Sequence, residues 1–351
     1  METVSTSTYD VHFTEVAKAT IRQFLKNTYY SKIFVLVDTN TKSNCLTTFK
    51  NIIERDVDEV IEIKPGEGYK DIASCLKVWQ ELSDLGADRK SLLINLGGGV
   101  VTDLGGFVAS TYKRGIDFIN IPTTLLAMVD ASIGGKTGVD LGVLKNQIGV
   151  INQPKMVLIF PNFLKTLEER QLNSGFAEML KHGLISDSNY WAELNSSDNF
   201  SNTKYIQKSV LIKNEVVQQD PTEQGIRKKL NFGHTIGHAI ESYFLKKSEL
   251  ETLLHGEAIA VGMILEAYFS HELCGLSKVD LNEIKTSFRK NFNKITFSSD
   301  DIEVIIDLLK HDKKNSHGNI NFVLLTEIGS TTLDVKVPED LFPKAFAYYR
   351  E

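Results

Sequence analysis

Cysteine is scarce in this chain. Cys45, Cys75 and Cys274 are three, an odd number, widely spaced and without a CxxC pair. That excludes a disulfide framework and points to a reducing, cytoplasmic setting. The opening residues 1–7 lack the basic start and apolar core of a secretory signal, and no apolar run reaches the roughly 18 residues of a membrane span. An excess of positive charge is also missing: 39 Lys and Arg against 45 Asp and Glu give −6, which argues against nonspecific nucleic-acid binding. Repeats and low-complexity segments are absent. An anionic small molecule would therefore need a local cluster of cations, for which Lys136, Lys145, Lys181, Lys213, Arg227, Lys313 and Lys314 are candidates.

At 351 residues the chain exceeds what one hydrophobic core usually organises. Short apolar, β-branched runs at 32–37, 58–63, 91–96 and 118–121 read as buried strands, and 69–85 has helical periodicity. That alternation predicts an α/β layer with a mainly parallel sheet. From about Asn162 the texture becomes helical, with expected helices at 167–184, 202–219, 234–244, 255–274 and 280–291. A β-hairpin is expected over 320–337, and surface loops at 195–202 and 245–250. The expected architecture is an α/β Rossmann-like nucleotide domain (1–161) followed by a mainly α-helical domain (162–351), with the active site in the cleft between them.

Three groups of residues carry chemistry. Gly97, Gly98 and Gly99 follow a strand and precede a helix expected to open near Val101, which suits a pyrophosphate at a helix N-terminus. The spacing is not GxGxxG. Asp38, Glu67 with Lys70, and Thr123 with Thr124 also follow expected strands and can line the same crevice. Between Met128 and Gln147, two glycine turns present Asp130, Lys136, Lys145 and Asn146, a set suited to an anion. His234 and His238 are four apart and so share one helix face. With His255 and Glu178 they offer four candidates for the three protein ligands of a catalytic zinc, leaving one for acid, base or supporting work. His182 is read as a bystander.

Together the motifs GGGVVTDLGGFVAST, KRGIDFINIPTTLLAMVDASIGGKTGVDL, LKNQIG, GFAEMLKHGL, LNFGHTIGHAIE and LHGEAIAVGM closely resemble the 3-dehydroquinate synthase family of sugar-phosphate cyclases. The resemblance runs from about Asp38 to Asn315. It implies an NAD-dependent homodimeric enzyme with Glu178, His234 and His255 on Zn2+ or Co2+, and His238 beside substrate and nicotinamide. It implies NAD contacts from Asp38, Glu67, Lys70, Gly98, Gly99, Asp103, Thr123, Thr124, Lys136, Lys145, Thr166 and Leu167. Substrate contacts would come from Asp130, Lys136, Asn146, Lys181, Lys213, Arg227, Asn231 and Lys313 or Lys314, and Arg114 would reach a neighbouring subunit's site. The stretch 241–254 is expected to be a variable loop.

The implied activity is a carbon–oxygen lyase reaction: conversion of 3-deoxy-D-arabino-heptulosonate 7-phosphate to 3-dehydroquinate and phosphate, the second step of the shikimate pathway. Transient oxidation, phosphate elimination, re-reduction and intramolecular aldol closure leave NAD unconsumed. Three other readings compete: a cyclase for a sugar phosphate without a carboxylate, a metal-dependent polyol dehydrogenase, and a non-catalytic binding protein on the same scaffold, which should have lost a metal ligand or Lys181. Against the first, the resemblance implies that Lys213 and Arg227 face the substrate carboxylate, and a substrate without one would leave two buried cations unpaired.

Overall fold

The computed structural model describes residues 2–142, 144–247, 252–309 and 320–351. The chain falls into two units, Met1–Glu168 with Ser201–Asn214, and Glu169–Phe200 with Glu215–Glu351.

The first unit is built on a seven-stranded sheet in the order β1-β2-β9-β6-β5-β3-β4. Its strands are β1 (Thr3–Ser5), β2 (Asp10–Phe13), β3 (Ile33–Asp38), β4 (Glu59–Ile63), β5 (Leu92–Gly97), β6 (Asp117–Pro122) and β9 (Met156–Ile159). All pairs are parallel except β1 with β2. A separate antiparallel hairpin pairs β7 (Lys136–Leu141) with β8 (Leu144–Ile151). Strands β3 and β5 are buried on both faces, as their continuous apolar runs require of central parallel strands. The polar exception is satisfied internally, since Asn95 donates to the Asn120 side chain at 2.9 Å. Helices α1 (Thr14–Asn27), α2 (Thr39–Asn44), α3 (Leu46–Ile53), α4 (Ile72–Asp84) and α5 (Gly99–Thr111) connect the strands. One core cluster joins Phe34, Leu36 and Ile61 of the sheet to Val78 and Leu82 of α4 and Leu104 and Val108 of α5.

The second unit contains α6 (Glu169–Ser186), α7 (Ser188–Ser196), α9 (His234–Lys247), α10 (His255–Cys274), α11 (Lys278–Asn291), α12 (Ser299–Leu309), α13 (Leu341–Arg350) and the hairpin β10 (Asn321–Glu327)–β11 (Ser330–Lys336). Helix α8 (Thr203–Gln219) groups with the first unit up to Asn214, whose amide donates to the Ser5 carbonyl at 3.0 Å. Helix α10 is apolar on nearly every face and buries residues from Gly256 to Ser270, so it forms the centre of its unit. No described helix is long and apolar enough to cross a membrane.

The structure adds β9, α7, α12 and α13 to the expected elements and departs from the expectations elsewhere as well. The Met128–Gln147 stretch has Gly134, Gly135 and Gly142 at positive φ, as glycine turns require, and adds a π-helical turn (Ala127–Ala131) and the β7–β8 hairpin, which were not expected. Helix α5 opens at Gly99, a residue pair earlier than Val101, with Gly98 as its N-cap. The expected loop over 241–254 is helical through Lys247. The first thirty residues supply two strands and a helix that were not anticipated: β1 and β2 are too short to show a period.

Candidate metal and nucleotide sites

In the second unit the starts of two helices meet a carboxylate from the middle of a third. Glu178 lies mid-way along α6 and is completely buried. His234 is the first residue of α9 and His255 the first of α10. Glu178 Oε1 stands 3.4 Å from His234 Nε2 and 3.5 Å from His255 Nε2 and accepts no hydrogen bond among the described residues. Those separations are long for hydrogen bonds. They match the spacing of two ligands that each sit about 2.0–2.1 Å from a tetrahedral ion, roughly 3.3–3.4 Å. A buried oxygen with no hydrogen bond, facing two imidazole nitrogens at that spacing, fits a divalent ion. His238 lies one turn along α9, with its ring centroid 5.2 Å from that of His234 and 5.8 Å from that of His255. The three histidines alone also form a group able to hold a metal.

The other oxygen, Glu178 Oε2, accepts from the buried Lys181 ammonium one helical turn on. Burial would push the Glu178 carboxyl up, but Lys181 and His234 outweigh it and hold it well below the ordinary carboxylate range. Burial keeps His234 below its ordinary value, hence neutral and able to ligate, against the pull of Glu178. At His255 burial is outweighed by Glu241 and Glu178, which raise it to about 9, so a metal there displaces a proton.

The supporting contacts fix tautomers and helix ends. His234 Nδ1 is 3.0 Å from the Phe232 carbonyl and His255 Nδ1 3.2 Å from Glu241 Oε2. Both Nδ1 atoms therefore carry the proton in the neutral rings, and both Nε2 lone pairs face Glu178. The start of α9 is held by the fully buried Glu266, which accepts from Gly233 N at 2.6 Å and Ile236 N at 3.2 Å. The start of α10 is held by Ser174, whose hydroxyl accepts from Gly256 N at 2.9 Å. Glu257 closes that end by accepting from Leu254 N, and Arg170 grips it in a two-pronged ion pair. A Cβ on Gly256 would collide with the Ser174 backbone, and one on Gly262 with the Gly233 carbonyl, so α10 touches α6 and α9 backbone to backbone. Sequence reasoning missed Glu241, Glu266 and Ser174. Their partners lie 14, 33 and 82 residues away, with no local signal.

In the first unit, the strand order reverses direction between β3 and β5: the chain leaves β3 for β4 on one side and β5 for β6 on the other. Ligands of open α/β sheets bind at the carboxyl ends of strands at such a switch point. Asp38 ends β3, Gly97 ends β5 and Thr123 follows β6, all in register along that edge. Asp38 caps α2 by accepting from Thr41 N at 2.7 Å. Helix α5 has no side-chain cap, which leaves its first N–H groups for an anion. A Cβ on Gly98 would come to 2.9 Å from Thr124 Cγ2. Thr166 and Leu167 end a 3-10 turn in the same unit.

Beside this edge lies a network of charge. Lys70 Nζ is 2.8 Å from Glu67 Oε1, 2.8 Å from Asn146 Oδ1, 3.4 Å from Asp103 Oδ2 and 3.8 Å from Asp140 Oδ1. Lys145 also pairs with Glu67. Burial raises Asp103 to about 6, with Lys70 opposing. Lys213 Nζ donates to both the carbonyl and Oδ1 of Asp130 at 2.6 Å. Lys136 is exposed at the start of β7.

Elsewhere, buried Arg227 donates to the Pro221 carbonyl at 2.6 Å and Asn231 to Glu223 at 2.9 Å. Arg114 is exposed and lines a hollow of about 750 Å³ with Tyr30, Ser110, Asp117 and Asn152. Lys313 and Lys314 lie outside the described residues. These pairings correct one argument from sequence for Lys213 alone, which already faces the Asp130 carboxylate; the contact of Arg227 with the neutral Pro221 carbonyl leaves its half of that argument standing.

Comparison with known proteins follows the same division of the chain. The profile of the 3-dehydroquinate synthase N-terminal region matches residues 60–174, and that of the C-terminal region residues 175–315. The chain is 42% identical over 340 residues to the 3-dehydroquinate synthase of Parabacteroides distasonis, covering 95% of this chain and 96% of that protein. It is 39% identical over 309 residues to that of Campylobacter jejuni subsp. doylei, covering 85% and 87%. Among solved structures, 2-deoxy-scyllo-inosose synthase complexed with carbaglucose-6-phosphate, NAD+ and Co2+ superposes with a TM-score of 0.81 at 24% identity, over 97% and 98% of the two chains. A 2-epi-5-epi-valiolone synthase from Streptomyces hygroscopicus with NAD+ and Zn2+ bound gives 0.81 at 24%, over 99% and 98%. A probable glycerol dehydrogenase from Sinorhizobium meliloti shares the fold at 0.61 and 13%, over 97% of each chain.

Proposed function

The chain belongs to the 3-dehydroquinate synthase family, and on that premise we propose that it converts 3-deoxy-D-arabino-heptulosonate 7-phosphate to 3-dehydroquinate and phosphate, with NAD and a divalent metal as resident cofactors. The observation that carries the reading is Glu178 Oε1, buried without a hydrogen bond and set at ligand spacing from two imidazole nitrogens. Glu178, His234 and His255 would hold Zn2+ or Co2+, leaving a position open. Such an ion, when bound, polarises a substrate hydroxyl and favours its alkoxide. NAD, gripped by Asp38, Glu67, Lys70, Gly98, Gly99, Asp103, Thr123, Thr124, Lys136, Lys145, Thr166 and Leu167, supplies a reversible hydride acceptor.

The chain's own groups orient and balance charge around that chemistry. Lys181 holds Glu178 ionised, so the carboxylate keeps one oxygen for a ligand role. His238 belongs to the same histidine cluster, and in this reading it would move a proton at the substrate. Lys213 would reach a substrate anion by turning to it from Asp130, which leaves the Asp130 carboxylate to be balanced by other cations of the site. Lys136, Asn146, Arg227, Asn231 and Lys314 complete the proposed substrate set. Homodimerisation is part of the proposal. It is supported by the exposed apolar Val150 and Ile151 on β8, and light scattering checks it.

The test is phosphate release from 3-deoxy-D-arabino-heptulosonate 7-phosphate, with and without NAD and with a chelator. Release that needs both, with no net NADH, is the expected outcome. NADH accumulating with simple polyols and no phosphate release would move the chain to the dehydrogenases.

A further inference from the structure

We infer that Glu241 is a positioning residue for the metal: it orients His255 and strengthens it as a ligand. The inference rests on the ligand set proposed above. Glu241 lies on α9, three residues beyond His238, where its side chain is 7% exposed. Its Oε2 is 3.2 Å from His255 Nδ1, while His255 Nε2 faces Glu178 Oε1 at 3.5 Å. The imidazole is thus strung between two carboxylates. One fixes its proton on Nδ1, and the other shares the volume into which the Nε2 lone pair points.

The two ligand histidines are set by different means. His234 leans on a neutral backbone carbonyl, that of Phe232 two residues before it. His255 leans on a formal negative charge carried by a different helix. A carboxylate behind an imidazole makes the ring a more electron-rich donor, whereas a carbonyl only aims it. A third consequence is charge balance. Lys181 places a buried cation against Glu178, and Glu241 returns one negative charge to the same unit close to the ion. Helix α9 thereby contributes twice, His234 as a ligand and Glu241 as the support of a ligand on α10.

The test uses the full-length protein stripped of metal and reloaded. Zn2+ dissociation constants are measured by competition with a chromophoric chelator for wild type, Glu241→Gln and Glu241→Ala. The visible absorption of the Co2+-loaded forms and the urea stability of the metal-free forms are recorded alongside. Glu241→Gln keeps an acceptor and loses the charge, so Zn2+ binding should weaken about tenfold. Glu241→Ala loses both and should weaken up to about a hundredfold, with a shifted Co2+ spectrum and unchanged metal-free stability. If Glu241→Ala does not fold, the glutamine variant decides alone. Wild-type affinity and spectrum in the variants overturn the inference. So does a loss of metal-free stability that accounts for the weaker binding, since that is a structural role. If the wild type itself fails to bind Zn2+, the ligand set falls, and the inference with it.

Discussion

Replacing Glu178 by methionine keeps the shape of the side chain and removes its charge and its hydrogen bonds. Lys181, 1% exposed in the wild type, then keeps a buried ammonium without its carboxylate. Breaking a buried pair from one side costs about 3–5 kcal/mol. An independent ceiling comes from the lysine itself, which can shed its proton instead. From an ordinary value of about 10.4, deprotonation at pH 7 costs roughly 4.6 kcal/mol, at about 1.36 kcal/mol per pH unit, so the two estimates agree. For a helical unit of roughly 170 residues the loss corresponds to a melting point lower by about ten degrees. The sign with pH follows: the folded variant would hold Lys181 neutral while the unfolded chain binds the proton, so stability is regained as pH rises. By about pH 9 the penalty should shrink to roughly 2 kcal/mol. The assay is urea denaturation of metal-free wild type and Glu178→Met at several pH values, repeated with buffered Zn2+. Raising free Zn2+ to about a hundred times its dissociation constant should add about 2.7 kcal/mol to the wild type and nothing to the variant. Equal metal-free stability at neutral pH, or equal stabilisation by Zn2+, would refute the reasoning.

Two further outcomes concern the sheet unit. Asp103 sits near 6 in the fold against an ordinary 3.8, so its ionisation disfavours the folded state, and its contribution is lost as pH rises through about 6. The stability of wild type relative to Asp103→Asn should therefore fall by up to about 3 kcal/mol between about pH 4 and about pH 8; parallel denaturation profiles would show that Asp103 titrates normally. Gly98→Ala would force a methyl to 2.9 Å from Thr124 Cγ2 at the opening of α5. NAD affinity, followed by calorimetric titration, should drop about tenfold or more with a stability loss of about 1–3 kcal/mol and unchanged Zn2+ affinity; unaltered NAD binding would remove this helix end from the cofactor site.

The fold class was legible because the central strands are buried on both faces and so appear as unbroken apolar runs, while the later helices show their period. Strand β2 escaped notice because its four residues, two of them polar, carry little pattern; β9 is a four-residue apolar run like that at 118–121 and could have been read. Of the β7–β8 hairpin only the flanking glycine turns are legible, because Gly138 and Gly149, opposite each other in register, interrupt the pattern of its strands. Family and reaction were legible from long motifs in order. The pairing of His234 with His238 was visible from helical spacing, but the geometry around Glu178 arises from two helix starts set against the middle of a third helix, and no spacing encodes it. The supports Glu241, Glu266 and Ser174 act across helices, so their roles exist only once the helices are packed. The mutual neutralisation of Lys213 with Asp130 and of Lys145 with Glu67 was likewise invisible, since a sequence counts charges without saying which ones cancel.

The backbone contacts at Gly256 and Gly262 leave α10 no slack against α6 and α9. The gauge of the metal cage is thus set by main chain resting on main chain, which nothing but hydrogen at those two positions permits. A mould of that kind is cast before the ion arrives. The ion enters as a replaceable reagent rather than as a rivet, and chelation should strip the chemistry from this protein while leaving its shape standing.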